Sequence, residues 1–195
     1  MIMGFIGMFF ASVFVQNAIL ARGFGVNKML RLPKSVGLVL LFGLLTSFIC
    51  VVGGSMSFGA VLLLKGWAAF KYFKTPLFVL CISLVYIAIY VFARSKKNRG
   101  LVFIKENIGN ACFNFVVLGT ILIVNQNAMS FAEMLGFALG AGIGYSLATL
   151  LVQSIHARLE LSEVPTIFKG FPITLIYIGL LSLAFVGLLG HGLPA

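Results

Sequence analysis

Apolar runs long enough to cross a bilayer recur along this chain, parted by short basic stretches. A membrane span needs about 20 mainly apolar residues. That length predicts six spans, at about Ile2–Ala21, Val36–Phe58, Thr75–Ala93, Leu101–Val124, Met129–Ile155 and Phe171–Gly190. The Val61–Leu64 run and Trp67, between the second and third spans, read as a segment lying on the membrane interface. The first span lacks a basic leader and a small-residue cleavage site, and is expected to be retained.

Two of the spans carry polar residues where lipid-facing helix should be apolar. In the first, Val15-Gln16-Asn17-Ala18-Ile19-Leu20 is followed by Gly23 and Gly25. In the fourth, Asn114 stands inside Ala111-Cys-Phe-Asn-Phe-Val-Val-Leu-Gly119, with Lys105, Glu106, Asn107 and Asn110 upstream. Polar side chains and glycine at depth are costly unless the helix is interrupted there and lines protein or a cavity. One interruption in each half points to a midplane site built on an internal repeat. Dividing the chain at its densest basic cluster gives repeat 1 at about 1–93 and repeat 2 at about 101–191. Three spans per repeat insert the halves with opposite orientation. The expected fold is therefore an all-α membrane domain, residues 1–195, of two inverted three-helix repeats with helices 1 and 4 interrupted.

Composition agrees with this picture. The chain is 61% hydrophobic and 9% charged, where a soluble domain carries roughly 25% charged residues. Its net charge of +10 would raise the question of nucleic acid in a soluble protein. Here the cations fall in loops, so no nucleic-acid partner is expected. Of the 14 Lys and Arg, all but Lys65, Lys71 and Lys74 sit in the loops after spans 1, 3 and 5 or at the start of span 4. Basic loops stay cytoplasmic, which puts both termini outside.

Candidate chemistry is sparse. Gln16, Asn17, Gly25, Asn110 and Asn114 are candidates for an ion pathway or for satisfying backbone groups freed at the breaks. Glu106, read as the one acid near the body of a span, is either a cation or proton ligand at the mouth of the fourth helix or a charged helix start at the headgroups. Gly136, Gly140 and Gly144 repeat every four residues and make one smooth helix face, for packing within the chain or against another subunit. Cys50, Cys81 and Cys112 lie in separate apolar stretches and form no CxxC pair. His156 and His191 have no second ligand at metal spacing. No catalytic triad, phosphate-binding loop or dinucleotide fingerprint is present.

The segment Ala157-Arg-Leu-Glu-Leu-Ser-Glu-Val-Pro-Thr-Ile-Phe-Lys-Gly-Phe-Pro-Ile173, with Gly179-Leu-Leu-Ser-Leu-Ala-Phe-Val-Gly187 after it, closely resembles the C-terminal part of the Rnf A-type (RsxA-like) and Nqr E-type membrane subunits. Val15–Leu20 resembles their N-terminal motif, and Asn114–Gly119 their central one. The resemblance implies six helices in inverted repeats, with both termini outside, in a bacterial or archaeal cytoplasmic membrane. It implies a homologous partner subunit of opposite orientation, within a complex that couples electron transfer to Na+ or H+ movement. It also implies a pair of cysteines that, with the partner's pair, holds a [2Fe–2S] cluster. This chain departs at both positions: Asn27 and Phe115 stand where the family has cysteine. Neither supplies a thiolate. Cys112, one helical turn before Phe115, would substitute only if the break shifted. No cofactor is therefore expected in this chain. Two accounts of the departure stay open: a divergent subunit of a complete complex, or a paralogue that kept the scaffold and lost the electron role. The contrasting classes are a stand-alone small-ion or metabolite carrier and a structural scaffold for a redox partner.

Overall fold

Apolar helices without polar faces hide inside a bundle or in lipid, and the longest helices of this chain do both. The computed structural model describes residues 2–26, 35–64, 66, 70–95, 99–159, 165–168 and 170–189. The helices are α1 (Ile2–Phe10), continued by a π-helical turn (Ala11–Val15), then α2 (Val36–Leu64), α3 (Phe70–Ser95), α4 (Arg99–Cys112), α5 (Phe115–Gln126), α6 (Phe131–Leu159) and α7 (Phe171–Leu189). A 3₁₀ turn at Thr166–Phe168 precedes α7. There is no strand among the described residues. By length and composition α2, α3 and α6 qualify as membrane-crossing helices. The pair α4–α5, bent by 47° at its break, makes a fourth. Ile2–Val15 and Phe171–Phe185 are apolar but shorter.

Several boundaries differ from the sequence expectation. The Val61–Leu64 run belongs not to a connection but to the last turn of α2. That helix has 29 residues, about 44 Å at about 1.5 Å per residue, and so outruns an apolar layer of about 30 Å. Helix α3 begins at Phe70 rather than near Thr75, with Pro76 inside it. Proline there forfeits one early hydrogen bond, which the long apolar helix absorbs. Asn27, Lys28, Arg31, Pro33, Lys34, Lys65, Trp67, Lys96, Lys97, Glu160, Glu163, Lys169 and His191 lie outside the described residues.

The bundle is centred on α6. Its start is fixed by a capping box: Ser130 N donates to Glu133 Oε2 at 2.8 Å, and Glu133 N donates to Ser130 Oγ at 3.5 Å. Glu133 is thus a second acid near a span, with a structural task. Along one face, Gly136, Gly140 and Gly144 seat the N-terminal segment. A Cβ on Gly136 would run into the Phe5 backbone, one on Gly140 would stand 2.5 Å from the Phe9 carbonyl oxygen, and one on Gly144 3.1 Å from Val13 Cα. The small-residue face is used within the chain. Close backbone approach of this kind replaces the hydrophobic drive that is missing between helices in lipid.

A second face of α6 crosses α2 as closely, and the crossing is reciprocal. A Cβ on Gly43 would fall on the Ser146 hydroxyl and 2.9 Å from the Gly142 carbonyl oxygen. A Cβ on Gly142 would fall on the Ser47 side chain and 2.6 Å from the Gly43 carbonyl oxygen. Ser47 Oγ donates to Leu139 O and Ser146 Oγ to Gly142 O, both at 3.1 Å. Each helix thus offers a glycine and, four residues later, a serine. Fully buried Phe42, Ile49, Met134, Phe137 and Tyr145 fill the core around the crossing.

Candidate functional site

Both polar interruptions are true breaks, and one residue type builds each. In the first, the chain widens into the π turn, closed by Gln16 N donating to Ala11 O at 2.7 Å. Such bulges occur often at functional positions. Asn17, wholly buried, then serves both sides of the break. Its Nδ2 donates to Val13 O at 2.8 Å behind it and to Gly144 O on α6 at 2.9 Å. Its Oδ1 accepts from Ile19 N at 3.0 Å and Leu20 N at 3.3 Å ahead of it. One side chain thereby bonds three backbone groups flanking the break and a fourth on α6. The helical turn that follows ends at Gly23, φ +66°. Gly23 N donates to Ile19 O at 2.8 Å and Phe24 N to Ala18 O at 2.7 Å. From α7, Ser182 Oγ donates to the Leu20 carbonyl.

The second break falls at Phe113–Asn114. Asn114 is extended, with φ −98° and ψ 136°, and its Oδ1 accepts from Val116 N at 3.3 Å. Its own carbonyl accepts from Val117 N at 3.0 Å. Asn114 is therefore the N-cap of α5, as Asn17 is of its short turn. The two differ in one respect. Asn114 is 2% exposed, and its Nδ2 has no hydrogen-bond partner.

The two breaks touch. Gly25, buried with φ +80°, is the point of contact. A Cβ there would lie 2.7 Å from Asn114 Oδ1, 2.9 Å from Tyr145 Cε2 and 2.9 Å from Val116 Cγ2. Phe24 packs its ring on Gly119, where a Cβ would be 2.5 Å from Phe24 Cε2. Both contacts require glycine, and at Gly25 the left-handed backbone requires it a second time. The Tyr145 hydroxyl donates to the Gly25 carbonyl at 3.4 Å, beside the Asn114 amide. Adjacent residues of α6, Gly144 and Tyr145, thus both bond the first break, and the Tyr145 hydroxyl also lies against Asn114 of the second.

Of the residues singled out from the sequence, Gly25 and Asn114 meet at this junction, and Asn17 and Gly144 bond each other behind it. Gln16 adjoins it, with its Oε1 buried and without a hydrogen-bond partner. Glu106 and Asn110 do not join it: both are exposed on α4, ahead of the break. Tyr145 was not singled out, although a tyrosine amid small residues at the centre of an apolar span is a signal, since a buried phenol seeks a hydrogen-bond partner. Phe24 and Gly119 gave no such signal.

The thiols lie deeper. Cys112 and Cys50 are buried, and the Cys50 thiol bonds Thr120. Thr120 Oγ1 in turn donates to Val116 O at 2.7 Å, in the first turn after the break. Phe115, at one cysteine position of the resembled family, is 71% exposed, and Phe113 is 52% exposed. Both border a half-open cavity of about 180 Å³ with Val79, Ile82, Cys112, Asn114 and Leu118. Among the described residues, no three His, Cys, Asp or Glu side chains converge as a metal would need. The donor set beside the second break does not fit an iron–sulfur cluster: the Phe115 ring supplies no ligand, and Cys112 has near it only the buried Cys50 thiol, two sulfurs where such a cluster takes four ligands.

Residues 5–191 match the family described as Rnf-Nqr subunit, membrane protein. The chain is 31% identical over 179 residues to the A subunit of the ion-translocating oxidoreductase complex of Syntrophotalea carbinolica, covering 92% of this chain and 93% of that one. It is 28% identical over 180 residues to the A subunit of the Na(+)-translocating ferredoxin:NAD(+) oxidoreductase complex of Acetobacterium woodii, covering 92% and 94%. It is 29% identical over 189 residues to the A subunit of the ion-translocating oxidoreductase complex of Vibrio vulnificus, covering 95% and 97%.

Proposed function

This chain belongs to the Rnf-Nqr family of membrane subunits, and from that premise we propose that it is a membrane subunit of an ion-translocating oxidoreductase complex, in which its two joined helix breaks line the path of the coupling ion. The observation that carries the reading is the contact of Gly25 with Asn114 and Tyr145. Interrupted helices expose backbone carbonyls and amides at depth, and such groups are tolerated in a membrane only in protein or along a polar path. Gly25 O and Asn114 Oδ1 supply neutral oxygens, which suit a hard cation such as Na+ or a hydrated proton. Catalysis at the electron donor and acceptor belongs to other subunits.

The architecture we propose has six spans in two inverted repeats, at about 1–93 and 101–191, with both termini outside. Three features support it. Asn17 and Asn114 cap their restarted helices in the same way. The Gly43/Ser47 and Gly142/Ser146 contacts are reciprocal, as a pseudo-two-fold axis between α2 and α6 demands. The basic residues favour the loops after spans 1, 3 and 5. The partner proposed for the complex is a homologous subunit of opposite orientation, in a bacterial or archaeal cytoplasmic membrane. We further propose that no [2Fe–2S] cluster is ligated by this chain.

The test is Asn114→Leu in the assembled complex, reconstituted in vesicles. Ion uptake driven by electron transfer is expected to be lost while the subunit still inserts and assembles. Ion uptake at the unsubstituted rate would remove Asn114 from the path.

A further inference from the structure

Two breaks from distant parts of the chain are held at a fixed separation, and their own backbones do not hold them. No backbone hydrogen bond between residues 11–25 and residues 111–119 is present among the described residues. The first break is tied instead to α6 by two bonds, and the second meets the same tyrosine hydroxyl through the Asn114 side chain. Asn17 Nδ2 reaches the Gly144 carbonyl, and the next residue, Tyr145, reaches the Gly25 carbonyl beside Asn114. Tyr145 is itself immovable within the core. It is wholly buried, and its ring packs on Phe42 of α2 with centroids 5.8 Å apart. Below it, Thr149 Oγ1 donates to its carbonyl at 2.7 Å. The hydroxyl is the one polar atom of the side chain, and it ends where both breaks meet.

We propose that Tyr145 is a positioning residue: its hydroxyl holds the Gly25 turn against the Asn114 cap, so that the two breaks move as one unit and not independently. The inference rests on the reading that these breaks line the ion path, which gives the fixed separation its purpose. Its physical basis is separate. The bond to Gly25 is long at 3.4 Å, and Asn114 Nδ2 lies against the same hydroxyl without a hydrogen bond of good geometry. A buried amide donor in that state is costly. The junction is therefore polar but incompletely bonded, while the packing around it is tight. A contact of this kind can be remade when the breaks shift, whereas a fully bonded one would resist. Removing the hydroxyl leaves the Gly25 carbonyl without its one side-chain donor and leaves Asn114 without a polar neighbour on α6.

The experiment is a pair of label distances in the full chain, held in lipid nanodiscs. Spin labels on Arg22→Cys and Phe113→Cys, both exposed positions, report the separation of the two breaks. Labels on Leu44→Cys and Ile143→Cys, also exposed, report the α2–α6 crossing. Cys50, Cys81 and Cys112 are buried and stay unlabelled. Tyr145→Phe keeps the ring and removes only the hydroxyl. The expected result is that the break-to-break distance loses its single narrow peak in Tyr145→Phe while the crossing distance is unchanged. A break-to-break peak that stays as narrow in Tyr145→Phe would overturn the proposal. Broadening of both distances would overturn it as well, since Tyr145 would then be a packing residue only. In the reconstituted complex, Tyr145→Phe is expected to lower the number of ions moved per electron while electron transfer continues. The distance measurement does not require that ions pass, so failure of the ion-path reading at Asn114→Leu is told apart from failure here.

Discussion

Asparagine is a costly residue to bury in a membrane bundle, and the two used here repay that cost unequally. Asn17 Nδ2 and Oδ1 together make four bonds to backbone groups, one of them on another helix. Asn114 caps one amide and keeps an unpartnered Nδ2. Stranding a buried backbone group costs about 1–3 kcal/mol, whereas losing one N-cap bond costs about 1 kcal/mol. Asn17→Ala should therefore lower stability by roughly 3 kcal/mol or more, counting only part of the four groups as unable to find new partners. Asn114→Ala should cost about 1 kcal/mol or less, since it also removes the orphaned amide. Unfolding of the full chain in mixed micelles under increasing denaturing detergent measures both. Equal shifts of the two midpoints would mean that Asn17 is no hub and that the Gly144 bond contributes little. The asymmetry also separates structure from function. The more stabilising asparagine sits behind the junction, and the one with a spare donor sits in it.

Helices that meet over glycine show at the next scale why these breaks can be held at all. The turn after Asn17 and the start of α5 are brought together because α6 seats α1 on one face and α2 on another, both at backbone distance. Gly140→Leu would drive its side chain into the Phe9 carbonyl and Ser12 Cβ. It should prevent α1 from docking and lower the amount of folded protein in the membrane several-fold. Gly179→Leu, in α7, meets open space and should leave accumulation unchanged. Immunoblots of membrane fractions at matched expression would check the pair, and equal accumulation of both variants would refute the seating role of the Gly136–Gly144 face. This contrast is half legible in the sequence. The four-residue spacing of Gly136, Gly140 and Gly144 announces a close contact but not its partner, because sequence spacing fixes a face and not what lies against it. The breaks are legible for a plainer reason: an asparagine at depth is costly unless it serves backbone groups that a broken helix has freed. Their contact is not legible, since the Gly25–Asn114 approach depends on where α6 puts Tyr145. In the sequence Glu106 is open to two readings, a ligand at the helix mouth or a charged helix start. Its charge draws attention, yet α4 turns it outward and the uncharged residues do the joining.

The whole molecule matches its family over nearly its full length, and at that scale we propose that it ligates no cluster. The A subunits of the Syntrophotalea carbinolica and Acetobacterium woodii complexes align over more than nine-tenths of the chain, and the breaks on which such a scaffold turns are intact. The proposed absence of a cluster turns on the chemistry at one rim of the junction. Phe115 presents an exposed ring where a cluster would need sulfur, and the nearest thiol, Cys112, is buried one turn earlier. Recruiting Cys112 would require moving the break by three residues, which would take Asn114 off its cap and Gly25 off its contact. Recruiting Cys50 would break its bond to Thr120 and strip a group that in turn bonds the Val116 carbonyl. Both routes dismantle the junction to gain a single ligand, and an iron–sulfur cluster of this kind takes four. The purified full chain should therefore carry no stoichiometric iron and no thiolate-to-iron absorption band, even after anaerobic reconstitution with iron and sulfide. Iron bound at a fixed ratio, with that band, would mean that the second break sits elsewhere in solution. The proposed ion path would then have to be redrawn around the cysteines rather than around Asn114.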